Sequence, residues 1–218
     1  LAANWIVPVA LGRRNQPTTA MQMQPAIVSA EAILCRHLSR KLEKDFTMTG
    51  IMQRIQGTVQ SLNGISLSTG VIIPINPKAV MVELTFQDIS VSPAAGAGWG
   101  LRLEASSTIE TTGYQAGHSK MTSSAQSVSQ SGTWFVLCGN ESSGDSFYGY
   151  SRLSLANTSN NRWFCESMLF ECSGQDIQRL SAGTKSVASQ LTGIQIWGGG
   201  AAGTFVGGSV TPVVYVID

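Results

Sequence analysis

Residues 194–208 read IQIWGGGAAGTFVGG, and the meaning of these glycines decides the fold. Gly198, Gly200 and Gly203 match G-x-G-x-x-G behind a strand-like 194–197. In a dinucleotide-binding fold that loop opens a helix, whose free N–H groups and positive end meet the pyrophosphate. Residues 204–218 instead read TFVGGSVTPVVYVID, rich in β-branched and aromatic residues and carrying two more glycines and Pro212. That leaves no room for a helix and a further strand with its acidic residue. The glycines are therefore read as backbone that bends, joining the last two strands through φ values other residues resist. Pro212 inside the final strand implies an edge position or a bulge.

Elsewhere in the chain the same β signature recurs. AVMVELTF (79–86) alternates, with Val80, Val82, Leu84 and Phe86 expected on one face. VIIPI (71–75), WGLRLEA (99–105), TWFVLC (133–138), SRLSLA (151–156), RWFCESMLF (162–170), GIQIW (193–197) and SVTPVVYVI (209–217) make about eight strands. Gly, Asn and Ser clusters separate them, and no strand–helix alternation supports a parallel α/β sheet. Residues 106–133 stand apart: thirteen of the 28 are Ser or Thr. So long a polar excursion is either a functional surface loop or a pair of exposed edge strands.

The N-terminal part has a different period. Residues 1–24 read as an extended arm interrupted by Pro8 and Pro17. In AIVSAEAILCRHLSRKLEK (26–44), Ile27, Ala30, Leu34, Leu38 and Leu42 draw one apolar stripe, so the spacing predicts an amphipathic helix. Leu34, Leu38 and Leu42 are the candidate oligomer contacts, because a lone helix of this length must bury its stripe on something. The division expected is an arm and helix over 1–50 and a β-sandwich over 51–218.

Charged residues are only 12% of the 218, and the net charge is +1. The positive excess is confined to the first 54 residues; the remainder is slightly acidic and has no nucleic-acid footprint. No run of eighteen apolar residues suggests membrane insertion. Cys35, Cys138, Cys165 and Cys172 form no C-x-x-C pair, and with two histidines in the chain no metal site or cofactor is expected. The thiols read as small buried hydrophobes, with Cys165 and Cys172 on opposite faces of one strand-like run. No G-x-S-x-G elbow accompanies the serines, and the carboxylates offer no distinctive pair for glycoside cleavage, so no catalytic residue is assigned. Aromatic faces can stack on sugar rings. Tyr114, His118 and Trp99, nearest the polar excursion, are the candidate receptor contacts.

The order of motifs resembles a C-terminal β-sandwich domain of tailed-bacteriophage tail-fibre and receptor-binding proteins. The segments are IPINPKAVMVELTFQDIS, LRLEASSTIETTGYQAG, YGYSRLSLANTSNNRW and LSAGTKSVASQLTGIQIWGGGAAGTFVGGSVTPVVYV. They fall within residues 58–218, and I-E-T-T-G-Y (109–114) is the most specific of them. The resemblance implies an all-β, jelly-roll-like antiparallel sandwich in a homotrimeric virion protein. That protein would partner other phage virion proteins and bind a bacterial surface polysaccharide or pilus, without catalysis. The loops 106–131 and 139–147 are then the expected outward tip. The alternatives are a capsid decoration (cement) protein and a surface-polysaccharide depolymerase.

Overall fold

A computed structural model describes residues 51–92, 98–122, 125–139, 145–172 and 177–218. The chain divides into two compact units, Leu1–Thr49 and Gly50–Asp218. The expected arm, helix and Leu34/Leu38/Leu42 stripe lie outside the described residues, as do positions 123–124 and 140–144 of the expected tip.

The second unit is all-β among the described residues, a sandwich of two antiparallel sheets. Its strands are β1 (Met52–Gln56), β2 (Gln60–Ser61), β3 (Val71–Pro74), β4 (Ala79–Val91), β5 (Trp99–Ala105), β6 (Thr108–Ile109) and β7 (Gln115–Met121). They continue as β8 (Gln126–Ser131), β9 (Phe135–Cys138), β10 (Phe147–Asn157), β11 (Arg162–Glu171), β12 (Gln178–Ser186), β13 (Leu191–Trp197) and β14 (Phe205–Ile217). The larger, nine-stranded sheet runs β1-β14-β4-β10-β11-β12-β7-β8, with β2 also on β14. The smaller, five-stranded sheet runs β3-β13-β5-β6, with β9 also on β5.

Each strand expected from the sequence is present. The glycine-rich stretch does join the last two of them, but as a crossing between sheets. β13 ends in the smaller sheet, Gly199, Gly200 and Gly203 take φ of 68°, 77° and 124°, and β14 enters the larger. Pro212 sits where β14's neighbour breaks between β1 and β2. There its carbonyl accepts from Gly57 N–H at 2.8 Å, and its missing N–H deprives no strand of a partner. A Cβ at Gly57 would come within 2.7 Å of the proline ring, so the close approach requires glycine.

One expectation on β4 is corrected. Val82, Leu84 and Phe86 face the core, but Ala79 is buried in place of Val80. The register slips there, Ala79 pairing Val216 and Met81 pairing Tyr215, so Val80 is the extra residue of a bulge. A second bulge centres on Asp88 (φ 54°) and brings Ile89 inward three residues after Phe86.

The core joins both sheets. Trp99 of β5 meets Phe86 of β4 edge-on at 5.3 Å and Phe205 of β14 at 6.4 Å. At the end of the smaller sheet the I-E-T-T-G-Y segment acts as a latch. Tyr114 Oη accepts from Leu103 N–H at 2.8 Å and donates to Glu110 O at 3.0 Å. Lys185 Nζ reaches the Glu110 carboxylate at 2.9 Å from β12. Burial pushes the Tyr114 hydroxyl well above its ordinary pKa, so it stays protonated and can donate.

Cys138 and Cys165 are buried as expected, whereas Cys172 is exposed. Desolvation pushes the Cys165 thiol up to about 12. Two measurements check these placements. Tyr114→Phe keeps the edge contact with Phe135 but strands the Leu103 N–H, and should lower stability by about 1–3 kcal/mol in urea titrations. In the native protein iodoacetamide should label Cys172 and leave Cys165 untouched until denaturant is added, as read by peptide mass.

Candidate ligand cleft

Alternation along β7 and β12 places His118, Lys120, Arg179 and Ser181 on the inner face of the larger sheet, where an ordinary sandwich is apolar. The register aligns them in two rows. One runs Ser151–Ser167–Ser181–His118–Ser129 across five strands, and the other Leu169–Arg179–Lys120–Ser127 across four. The first row starts in the dry core, where Ser151 and Ser167 share a hydrogen bond of 2.7 Å. Ser181 then donates to Val136 O of β9 at 2.5 Å. Each buried hydroxyl so finds a partner, which offsets the cost of its desolvation.

His118 is held from both sides. Arg179 Nη1 donates toward its Nε2 at 3.4 Å, and its Nδ1 lies 2.7 Å from Ser129 Oγ. A guanidinium can only donate, so Nε2 carries the lone pair and the proton resides on Nδ1, donated to Ser129. The imidazole is thereby neutral. Burial, then Arg179 and Lys120, push its pKa below the ordinary value of 6.5. Arg179 also donates to Gly139 O at 3.3 Å and lies over the Phe147 ring.

These side chains border an open cleft of about 570 Å³ between the β7–β8 edge of the larger sheet and β9 of the smaller. That size suits a small ligand. Ser127, Ser129 and Trp134 add to the polar and aromatic lining, which holds no carboxylate among the described residues. Trp134 stacks edge-on with Trp197 at 5.3 Å, whose ring in turn carries the Arg102 guanidinium at 3.2 Å. The indole is thus braced from behind.

The outer face of the same strands has the opposite character. Tyr150, Met168, Leu180, Ser119 and Val128 form one row across β10, β11, β12, β7 and β8. Tyr148 and Phe170 pair beside it. Val128, Phe170, Tyr148, Tyr150 and Leu180 are all exposed. This is a contiguous apolar surface.

Of the three expected contacts, only His118 lies in the cleft. Trp99 is 0% exposed at the join between the sheets, and Tyr114 is 4% exposed and pinned by its latch. Neither has a face to offer a receptor: alternation along β5 turns Trp99 inward, and Tyr114, just before β7, is held inward by its two hydrogen bonds. The 106–131 excursion is also not a loop. It is the second sequence alternative, an edge pair formed by β7 and β8, preceded by the short β6. Lys120 and Arg179, which line the cleft with Trp134, were not singled out from the sequence. The one legible hint was H-x-K at 118–120, a spacing that puts both on one strand face. Among the described residues no group of three or more His, Cys, Asp or Glu could hold a metal ion. No protein-family model, curated protein or solved structure matches this chain.

The lowered pKa of His118 has a stability consequence whose sign is fixed. The unfolded imidazole takes up its proton near 6.5 and the folded one only at lower pH, so the folded state loses stability as pH falls from 6.5 through the folded pKa. The slope approaches about 1.4 kcal/mol per pH unit in that window. His118→Gln should flatten it, and the difference between the two proteins in urea midpoints from pH 7.5 to 5 measures the effect.

Proposed function

We propose that this chain is a virion structural protein of a tailed bacteriophage, of the tail-fibre or receptor-binding type. Its second unit is a jelly-roll-like sandwich that adheres, without catalysis, to a polysaccharide or pilus on the bacterial surface. The observation that carries this reading is the cleft: a cationic and aromatic opening at the edge of a rigid sandwich, bordered by the Ser/Thr-rich β7–β8 pair. The resemblance in the sequence adds to it: its segments fall on β4, β5, β6, β10, β11, β12, β13 and β14 and enter β7. Passage between sheets at β2–β3, β3–β4, β4–β5, β6–β7, β8–β9, β9–β10, β12–β13 and β13–β14 suits a jelly-roll-like winding, while β10–β11–β12 meanders within one sheet. Host attachment through three copies gives weak contacts avidity. The exposed apolar row on the outer face supplies surface that trimerisation would cover.

The full chain should elute with the mass of three copies by light scattering. Labelled protein should bind saturably to some strains of a bacterial panel, and surface polysaccharide or pili from those strains should compete. A monomer with no saturable binding to any strain would overturn the reading, and new reducing ends in the polysaccharide would replace it with depolymerisation.

A further inference from the structure

We propose that β8 is a self-complementary edge through which two copies of this chain join. Gln126–Gln130 of one copy pairs antiparallel with the same residues of the other, about a twofold axis at Val128.

The free side of β8 is built for pairing. The strand borders the larger sheet and, among the described residues, pairs only with β7. Every residue from Gln126 to Gln130 is exposed, Val128 at 70%. Thr122 N–H donates to Ala125 O at 2.9 Å, which closes the β7–β8 turn and fixes the phase of the ladder. Counting on in twos, Ser127, Ser129 and Ser131 turn their N–H and C=O groups toward β7. Those of Gln126, Val128 and Gln130 point out of the sheet's border. Proteins commonly guard such a row with lysine, proline or a bulge. β8 reads QSVSQS, without charge or proline, and its register with β7 runs without a shift.

The sequence selects the occupant. Residues 126–130 read Q-S-V-S-Q, the same in both directions. With Val128 facing Val128 of the second copy, Gln126 faces Gln130, and each of these pairs can exchange two N–H···O=C bonds. On the outer face the amides of the facing glutamines bond each other, as in glutamine ladders, and flank a valine–valine contact. On the inner face Ser127 stands opposite Ser129, whose oxygen accepts from His118 and whose O–H remains to donate across the junction. Like therefore meets like at every position, without repulsion. The sheet's other border, β1, has Arg54 at its midpoint, and the same arrangement there would set two arginines opposite each other. Because the axis stands normal to the sheet, the outer row Tyr150–Met168–Leu180–Ser119–Val128 would run on into its copy. The contact is isologous, so it closes at two copies and builds no fibre.

This inference goes beyond the adhesin reading and does not depend on it. Edge pairing uses groups in the plane of the sheet, whereas the trimer contact uses side chains normal to it. Together the two contacts give six copies. The shared area is one short strand per copy, below the ~800 Å² per partner of a standard interface, so the pairing is weak. By light scattering the mass of the full chain should double as concentration rises from about 1 μM to about 1 mM, from three copies to six in a trimer. Val128→Lys sets two positive charges against each other at the axis and should abolish the doubling. The position is exposed, so the urea midpoint should hold. Gln126→Lys combined with Gln130→Glu puts opposite charges across both outer pairs and should bring the doubling to about tenfold lower concentration at low salt. Gln126→Lys combined with Gln130→Lys should abolish it. A mass that does not rise leaves this edge to a strand of another protein and overturns the self-pairing. Doubling that survives Val128→Lys, or ignores the sign of charge at 126 and 130, places the contact on another surface and overturns it as well. Doubling from one copy to two, with three never reached, would discard the trimer and leave the edge pairing standing.

Discussion

A sheet of nine strands cannot be covered by a sheet of five, and that mismatch governs the molecule. Where the two overlap, the shared layer is dry, and Trp99 joins them edge-on between Phe86 and Phe205. Toward β12, β7 and β8 the cover thins to β9. A hydrophobic inner face there would expose apolar surface to water, at about 25 cal/mol for each Å² left uncovered. The chain places Arg179, Ser181, His118, Lys120, Ser127 and Ser129 on that overhang instead. Along the row Ser151–Ser167–Ser181–His118–Ser129 the first four side chains are buried and only Ser129, on the edge strand, is exposed, and the cleft opens there.

The same mismatch explains which parts of the fold were legible. Strands over the dry core, such as β4, β11 and β14, alternate in hydrophobicity or carry dense β-branched and aromatic residues, and their sequences announce them. β7, β8 and β12 read QAGHSKM, QSVSQS and QRLSAGTKS. They are strands in backbone geometry, but one face is polar because it is wet and the other is only intermittently apolar. Period-two reasoning detects a contrast between faces, and here the contrast is weak or inverted. β12 was therefore missed, and β7 and β8 were legible only as one of two alternatives for the polar stretch. Tyr114 shows the complementary limit. Its motif was conspicuous, but a tyrosine hydroxyl can serve a buried latch as well as a ligand, and only the positions of Leu103 N and Glu110 O distinguish the two.

Because successive residues of a strand face opposite ways, one short sequence serves both surfaces of the overhang. Arg179 and Ser181 point inward while Leu180 between them joins the outer apolar row; Ser127 and Ser129 flank Val128 in the same manner. A slip of one residue would turn the cations outward and press Leu180 and Val128 into the cleft. Register must therefore be fixed elsewhere in the sheet, and β4 is where the devices stand. Its bulges at Val80 and Asp88 set how it meets β14, and the one at Asp88 also sets how it meets β10. From β10 the alignment passes through β11 and β12 to β7 without a shift within the rows that form the site. The cleft's register is thus tied to irregularities in β4, a strand that pairs with β10 and β14 and with none of the cleft's strands.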